Sequence, residues 1–210
     1  MKIRSALVAV TAAAAIFALA GCTPAGGGTT TEVDAGVAAE IDAALAEITG
    51  TVLSTGPNGE EPSSVDTSVV TDEQAAEIAG MGLKAAIVMH YGGNDWANAQ
   101  IDGLNSEFKR LGIQVIATTD ADFDPATQVS QIETVLTQDP DIIVSIPTDP
   151  VATASAYRKA AEQGVKLVFM DNVPDGFVAG QDYVSMVSAD NYGNGVTSAY
   201  LLARPLGGQG

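Results

Sequence analysis

Short apolar runs recur along the chain from residue 85 onward. They are AAIVM at 85–89, IQVIA at 113–117, IIVSI at 142–146, VKLVFM at 165–170 and YVSMV at 183–187. Apolar runs of this length, with little polar alternation, are typical of strands that are buried on both faces of a parallel sheet. The pattern therefore predicts five strands.

The segments between the first four runs have the spacing of amphipathic helices. Their apolar residues recur every three or four positions, as in Ile101, Leu104, Phe108 and Leu111, then Val129, Ile132, Val135 and Leu136, then Val151, Ala154, Tyr157 and Ala161. Strands that alternate with helices at this spacing form βαβ units with right-handed crossovers. We expect an α/β fold, a doubly wound parallel sheet of flavodoxin-like order 2-1-3-4-5.

The first 21 residues predict a targeting segment. Lys2 and Arg4 precede an apolar stretch at 6–20, which is too short for a membrane span of ~20 residues. The stretch ends in LAGC and resembles the lipobox of bacterial lipoproteins, which implies cleavage before Cys22 and lipid on its sulfur. An ordinary signal peptide that happens to contain a cysteine is the alternative. The resemblance implies an extracytoplasmic protein of the cell envelope, held at the membrane by a lipid anchor.

Residues 22–80 form an acidic region before the predicted domain at 81–210. They contain 11 acidic residues and no Lys or Arg. Helical spacing at 32–48 and a capping-box pattern, Thr71 with Gln74, predict two helices, and the residues at 54–64 are typical of a loop. We expect a solvated tether that charge repulsion keeps extended.

The charge and the cysteine count exclude several functions. The chain has 9 basic and 26 acidic residues, a net charge of -17, whereas nucleic-acid binding needs clustered Lys and Arg. Cys22 is the only cysteine, so no disulfide forms within the chain. A single histidine without ligand spacing argues against a metal site. We expect no nucleic-acid partner, no metal and no cofactor.

Polar residues follow each predicted strand, at the edge where ligands bind in such sheets. Carboxylates and amides dominate there and cations are absent, which favours a neutral polyhydroxy ligand. Its hydroxyls would pair with these groups and its C–H face would stack on Trp96. The residues that follow the strands are His90, Tyr91, Gly92, Gly93, Asn94, Asp95, Trp96, Thr118, Thr119, Asp120, Pro147, Thr148, Asp149, Asp171, Asn172, Ser188, Asp190 and Asn191.

Residues 84–204 resemble the N-terminal lobe of a type I periplasmic sugar-binding protein, the ribose-receptor kind that serves ABC transporters. The similar stretches are NDWANAQIDG, GIQVIATTDADFDPATQVSQIE, DIIVSIPTDP, GVKLVFMDN and VSADNYGNG. The resemblance implies that Asn94 and Trp96 contact the sugar and that Asp171 and Asn172 bind its hydroxyls. Typical members have arginine at the position of Asn172 and a second aromatic at that of Ala97.

Several edge residues have a structural alternative. Thr148 and Asp149 either contact ligand or act as helix N-caps before Pro150. Trp96 either stacks on ligand or covers the sheet edge, and Asp171 either contacts ligand or caps a turn. We expect His90 to be partly buried with its polar atoms satisfied. Asp190 is expected to be structural.

The resemblance implies a solute-binding lipoprotein that delivers a sugar or polyol to an ABC permease and has no catalytic residues. The alternatives are a sensory module that presents its ligand to a membrane kinase or chemoreceptor, and an enzyme on a flavodoxin-like domain. Members of this family bind their ligand between two lobes. The resemblance covers only the first lobe, so we expect either a truncated sequence or a one-lobed product.

Overall fold

The computed structural model describes residues 35–207. The chain order of the elements there is α1 (Ala35–Ile48), a 3₁₀ helix (Val65–Ser68), α2 (Asp72–Ala79), β1 (Lys84–Met89), α3 (Asp95–Arg110), β2 (Gln114–Asp120), α4 (Pro125–Leu136), β3 (Ile142–Ser145), α5 (Ala154–Glu162), β4 (Lys166–Met170), β5 (Ser185–Val187) and α6 (Asn191–Ala203). The five strands coincide with the five apolar runs, and each interval between the first four holds one long helix.

The strands form one all-parallel sheet in the order β2-β1-β3-β4-β5. The α/β fold and its predicted strand order are confirmed. Because the strands are all parallel, their carboxyl ends lie at one edge of the sheet, and the direction of winding reverses between β1 and β3.

Each face of the sheet is covered by its own apolar core. On one face, Ala86 and Val88 pack in the same cluster as Ile132 of α4 and Tyr157 of α5. On the other face, Ala85, Ile87 and Met89 of β1 cluster with residues of α2 and α3 such as Ala75 and Phe108. This double burial explains why β1 is apolar at successive positions rather than at alternate ones.

Two predicted boundaries differ from the structure. Helix α5 begins at Ala154 rather than near Val151, because residues 149–153 form a turn in which the Thr153 backbone N–H donates to the Asp149 carbonyl. Strand β5 is shorter than the apolar run at 183–187. Tyr183 instead bridges to Ala179 and is buried in the core.

The charge of the acidic region predicts an extended segment, but the described part of that region is folded. The described part of it, residues 35–80, belongs to the same compact unit as the sheet. Ile41 of α1 is buried, Asp42 forms an ion pair with Arg204, and the N–H of Leu53 donates to Asp190. Apolar burial and specific hydrogen bonds outweigh repulsion between charges that lie in water.

Helix α2 is docked onto the sheet domain by close packing. Its predicted capping box is present, since the Thr71 hydroxyl accepts from the Gln74 N–H and the Gln74 side chain accepts from the Thr71 N–H. A Cβ on Gly112 would lie 2.8 Å from the Cβ of Ala79. Only glycine permits this approach, and its φ of +67° also favours glycine.

The targeting segment at 1–21 and Cys22 lie outside the described residues, so their roles stay predictions. Within residues 35–207, no helix combines the length and the apolar character that crossing a membrane requires. The boundary between the acidic region and the domain at residue 81 also stays a prediction.

Candidate functional site

Trp96 lies in the first turn of α3, directly above the carboxyl end of β1. The helix begins there because the Asn94 side-chain oxygen accepts a 2.7 Å hydrogen bond from the Ala97 N–H. The N-cap fixes the start of the helix, and the indole remains 52% exposed. Asn94 therefore positions Trp96, and its own contact with ligand stays a prediction.

Trp96 is one of four rings that we call the edge aromatic group: His90, Tyr91, Trp96 and Phe123. His90 packs edge to face against Trp96 and Phe123, with ring centroids 6.0 and 5.1 Å away. Tyr91 stacks on Phe123 at 4.8 Å, with only 10° between the ring planes. The group forms an aromatic surface of which Phe123 is 59% exposed.

Phe123 was not among the predicted site residues. It follows β2 in the sequence DADFDP and has a φ of +59°, while Asp122 has a φ of +49°. A bulky residue seldom adopts a positive φ, and such strain is concentrated at functional sites. A 2.8 Å hydrogen bond from the Phe123 N–H to the His90 carbonyl holds the turn. An aromatic residue between two acidic ones after a strand is the signal that sequence reasoning missed.

His90 lies below the aromatic surface with a buried polar atom. Its Nδ1 is buried and has no hydrogen-bond partner among the described residues, so the expectation of a satisfied histidine is wrong. Burial lowers the pKa of His90, and the nearby carboxylates of Asp171 and Asp120 oppose that effect. The ring is therefore neutral at pH 7 and offers one nitrogen as donor and one as acceptor.

Asp171 lies at the carboxyl end of β4 with an exposed carboxylate. Its φ is +68°, and its N–H donates to the Val187 carbonyl over 2.9 Å. Its Oδ1 accepts a 3.1 Å hydrogen bond from the side-chain amide of Asn191, which also donates to the Ser188 hydroxyl. The other carboxylate oxygen, Oδ2, has no partner among the described residues.

The side chain of Asn172 makes one hydrogen bond within the described protein. Its amide nitrogen donates to the Pro147 carbonyl over 3.1 Å, whereas its Oδ1 is buried without a partner in the described protein. A buried acceptor without a donor is costly. A ligand hydroxyl at this position would supply the donor, so Asn172 stays a predicted ligand residue.

Thr148 and Asp149 both make hydrogen bonds within the protein, although Oδ2 of Asp149 has no partner among the described residues. The N–H and the hydroxyl of Thr148 both donate to the side-chain oxygen of the fully buried Gln128, at 2.8 and 2.9 Å. The Asp149 carboxylate accepts from the N–H groups of Val151 and Ala152. Their contact with ligand stays a prediction.

The suggestion that these two residues cap the following helix is wrong for Thr148, whereas Asp149 caps the turn that leads into that helix. Residues 149–153 form a separate turn before α5. The N-cap of α5 is therefore Thr153, which directly precedes the first helical residue. The Thr153 hydroxyl donates to the Asp149 carbonyl over 2.7 Å, which stabilises that turn.

Metal-ligand clusters are absent from residues 35–207, where no group of three His, Cys, Asp or Glu side chains is arranged to hold an ion. Asp120 and Asp124 have structural contacts instead. The first accepts from the Asp122 N–H, and the second caps α4 through the Thr127 N–H. Hydrogen bonds within the protein therefore order this acidic loop.

A second concave surface lies between β2 and α4, away from the edge aromatic group. This groove has a volume of about 460 Å³ and contains Ala117 and Thr119 of β2 and Thr127, Ser130 and Thr134 of α4. None of the predicted ligand residues lines it. The exposed rings of Trp96 and Phe123 instead place the candidate site on an open surface at the sheet edge.

A family model described as a periplasmic binding protein domain matches residues 85–210. The match covers more than half of the chain and begins within β1. The chain belongs to the periplasmic binding protein family. This membership favours a binding protein over an enzyme, in agreement with the expectation of no catalytic residues.

Relatives and solved structures support the same assignment. The chain is 32% identical over 106 residues to the ribose import binding protein RbsB of Bacillus subtilis (strain 168), which covers 50% of this chain and 33% of that protein. An ABC sugar transporter subunit from Rhodobacter sphaeroides 2.4.1 has 27% identity and a TM-score of 0.53 over 61% of this chain and 43% of its own. AraP, an arabinose binding protein from Geobacillus stearothermophilus, has 26% identity and a TM-score of 0.52 over 60% and 42%. The resemblance to type I periplasmic sugar-binding proteins is confirmed.

The chain spans about a third of the length of this curated relative and about two fifths of these solved structures. The matched region is the part that carries the edge aromatic group, Asp171 and Asn172. What the whole protein binds and delivers is therefore a matter for proposal.

Proposed function

We propose that this chain is the ligand-binding part of an extracytoplasmic receptor that captures a sugar or polyol and delivers it to an ABC permease. The observation that carries the proposal is the exposed aromatic surface of Trp96 and Phe123, with the free carboxylate oxygen of Asp171 at the same sheet edge. The family membership and the names of the relatives support it.

The chemistry of this edge suits a neutral polyhydroxy ligand. Sugars present an apolar C–H face, which packs on an aromatic ring, and a rim of hydroxyls, which hydrogen-bond to carboxylates and amides. The unpartnered Nδ1 of His90 and Oδ1 of Asn172 add further hydrogen-bonding atoms. Anionic ligands fit poorly, because Asp120 and Asp171 would repel them and the edge residues that follow the strands include no Lys or Arg.

We further propose that Cys22 carries the lipid that holds the receptor at the membrane. Incorporation of labelled fatty acid in a bacterial host tests this directly. The wild-type chain should be labelled and should be found in the membrane fraction. The Cys22→Ser variant should carry no label and should not be found in the membrane fraction. Labelling that survives in Cys22→Ser would exclude this anchor.

A ligand screen tests the binding proposal. Trp96 is the only tryptophan, so its fluorescence reports on the candidate site without interference from another indole. We expect at least one neutral sugar or polyol to change this fluorescence saturably, with a matching calorimetric signal. Affinities in the millimolar range, about -4 kcal/mol, are expected for an open surface with few contacts.

Anionic sugars, such as hexose phosphates, provide the matched control. They share the C–H face but carry charge that the edge carboxylates repel. Binding of the phosphates in preference to their neutral counterparts would contradict the proposal, and so would the absence of any saturable response across neutral pentoses, hexoses and polyols.

A further inference from the structure

Residues 51–56, which we call the strap, lie outside the part of the chain that the family model matches, yet they bind the start of α6. The N–H groups of Leu53 and Ser54 donate to the two carboxylate oxygens of Asp190, over 2.8 and 2.9 Å. The Ser54 hydroxyl donates to Asp190 Oδ1 over 2.6 Å and accepts from the Tyr192 N–H over 3.3 Å. The strap therefore binds the residues on either side of Asn191, the side chain of Asp190 and the backbone N–H of Tyr192.

Asp190 is also the N-cap of α6. Its Oδ1 accepts from the Gly193 N–H over 2.8 Å, so one carboxylate joins the helix to the strap. These hydrogen bonds lower the pKa of Asp190 to about 2, the Ser54 hydroxyl contributing most. A side chain at residue 193 would collide with this carboxylate, which explains the glycine there.

The next residue after Asp190 reaches the candidate site. Asn191 donates its side-chain amide to Asp171 Oδ1 over 3.1 Å. A continuous path of hydrogen bonds and one peptide bond thus runs from Ser54 through Asp190 and Asn191 to the carboxylate that we expect to bind ligand. With Oδ1 held by Asn191, Oδ2 of Asp171 remains available to a ligand hydroxyl.

We infer that the strap is a positioning element of the ligand site, which fixes Asp190 and Asn191 so that the Asp171 carboxylate is oriented before ligand arrives. The inference rests on the proposed function, since it assigns the strap a role in ligand binding at Asp171. Preorganisation of this kind increases affinity because less ordering remains to be done on binding.

The α1–α6 contact supplies a matched control. Arg204 at the end of α6 binds Asp42 of α1 through two hydrogen bonds, at 2.6 and 2.9 Å. This ion pair also joins the N-terminal region to α6, but it lies a full helix length from Asn191. Asp42→Asn should loosen α1 without disturbing Asp171. Thr55→Ala is a second control, because Thr55 is an exposed hydroxyl in the strap beside Ser54.

The first experiment compares ligand affinity in Ser54→Ala, Thr55→Ala and Asp42→Asn, with the sugar that binds best in the fluorescence screen. We expect Ser54→Ala to weaken binding about three- to tenfold, the equivalent of one hydrogen bond. Both controls should bind like wild type. In an Asp171→Asn background, Ser54→Ala should no longer lower the affinity. A merely structural role of Ser54 would lower the affinity in both backgrounds.

The second experiment needs no ligand. The side-chain amide signals of Asn191, observed by nuclear magnetic resonance, should shift or broaden in Ser54→Ala and remain unchanged in Asp42→Asn. If wild type binds no sugar, the proposed function fails, and these signals still decide whether the strap orders Asn191. Unaltered Asn191 signals, or equal affinities in Ser54→Ala and wild type, would overturn the inference.

Discussion

Two groups of aromatic rings use the same contact geometry in opposite surroundings. In the core, Phe169 packs edge to face against Tyr157, Phe177 and Tyr183 at centroid distances of 5.1, 6.0 and 5.6 Å. At the sheet edge, His90 packs similarly against Trp96 and Phe123. All four core rings are buried, whereas Trp96 and Phe123 are more than half exposed.

The polar atoms of the two groups differ in the same way. Ser145 donates its only hydroxyl proton to the Val88 carbonyl, so the Tyr157 hydroxyl donates to Ser145 over 2.5 Å and the buried pair is satisfied. At the edge, His90 Nδ1 has no partner in the described protein. The core group satisfies its own polar atoms, whereas the edge group leaves one buried nitrogen without a partner among the described residues. That contrast is the physical basis of the ligand-site assignment.

Phe169→Ala should give the largest effect on stability. It removes a fully buried ring that three others contact, and such deletions cost about 3–5 kcal/mol. Denaturant unfolding would measure the loss. Phe123→Ala is the matched control, because the Phe123 ring is exposed, and we expect it to cost less than about 1 kcal/mol. Equal losses of unfolding free energy in the two variants would contradict the distinction between a buried core group and an exposed edge group.

Trp96→Ala should show the reverse pattern. We expect ligand affinity, measured by calorimetry, to fall by about 2 kcal/mol, roughly 30-fold, because the stacking surface is lost. Stability should change little, since α3 keeps its Asn94 cap. A variant that unfolds easily but binds normally would show that Trp96 covers the sheet edge and does not bind ligand.

Asp171→Asn should weaken binding by a smaller amount, about tenfold, because a charged acceptor is replaced by a neutral one of the same shape. Asparagine tolerates the positive φ of this residue, so the backbone should not change. The measurement is again calorimetric, with circular dichroism as the check on folding. Unchanged affinity would remove Asp171 from the site and restrict the ligand to the aromatic surface.

The smallest effects should come from pH. Burial lowers the pKa of His90, so the unfolded chain binds a proton more readily than the folded one. The stability that neutral His90 provides is complete above its unfolded pKa of about 6.5 and is lost as the pH falls below that value through the folded pKa.

Trp96 fluorescence should accordingly change with a midpoint below about pH 6.5, and His90→Gln should abolish this transition. The core group should behave differently, because burial raises the pKa of Tyr157 and prevents its ionisation in mild alkali. An acid transition that persists in His90→Gln would show that a different group titrates.

Local pattern alone determined most of the fold. The five apolar runs predicted the five strands, and the three amphipathic patterns between them predicted α3, α4 and α5. The strand order followed because periodicity and the handedness of the crossovers leave few alternatives. The same pattern placed Asn94, Trp96, Asp171 and Asn172 at one sheet edge, since residues that follow parallel strands meet there.

Contacts between distant residues were decided only by the tertiary structure. Phe123 reaches His90 and Tyr91 through a turn with positive φ, and Ser54 reaches Asp190 across 136 residues of sequence. The same holds for Thr148, a loop residue whose hydrogen bonds go to Gln128 of α4. Composition predicted an extended acidic region, and packing against α6 and α3 reversed that prediction. Periodicity indicates which face of an element is buried and local motifs predict caps such as Thr71 with Gln74, but a polar partner in a distant element depends on how the elements pack, and no local pattern contains that information.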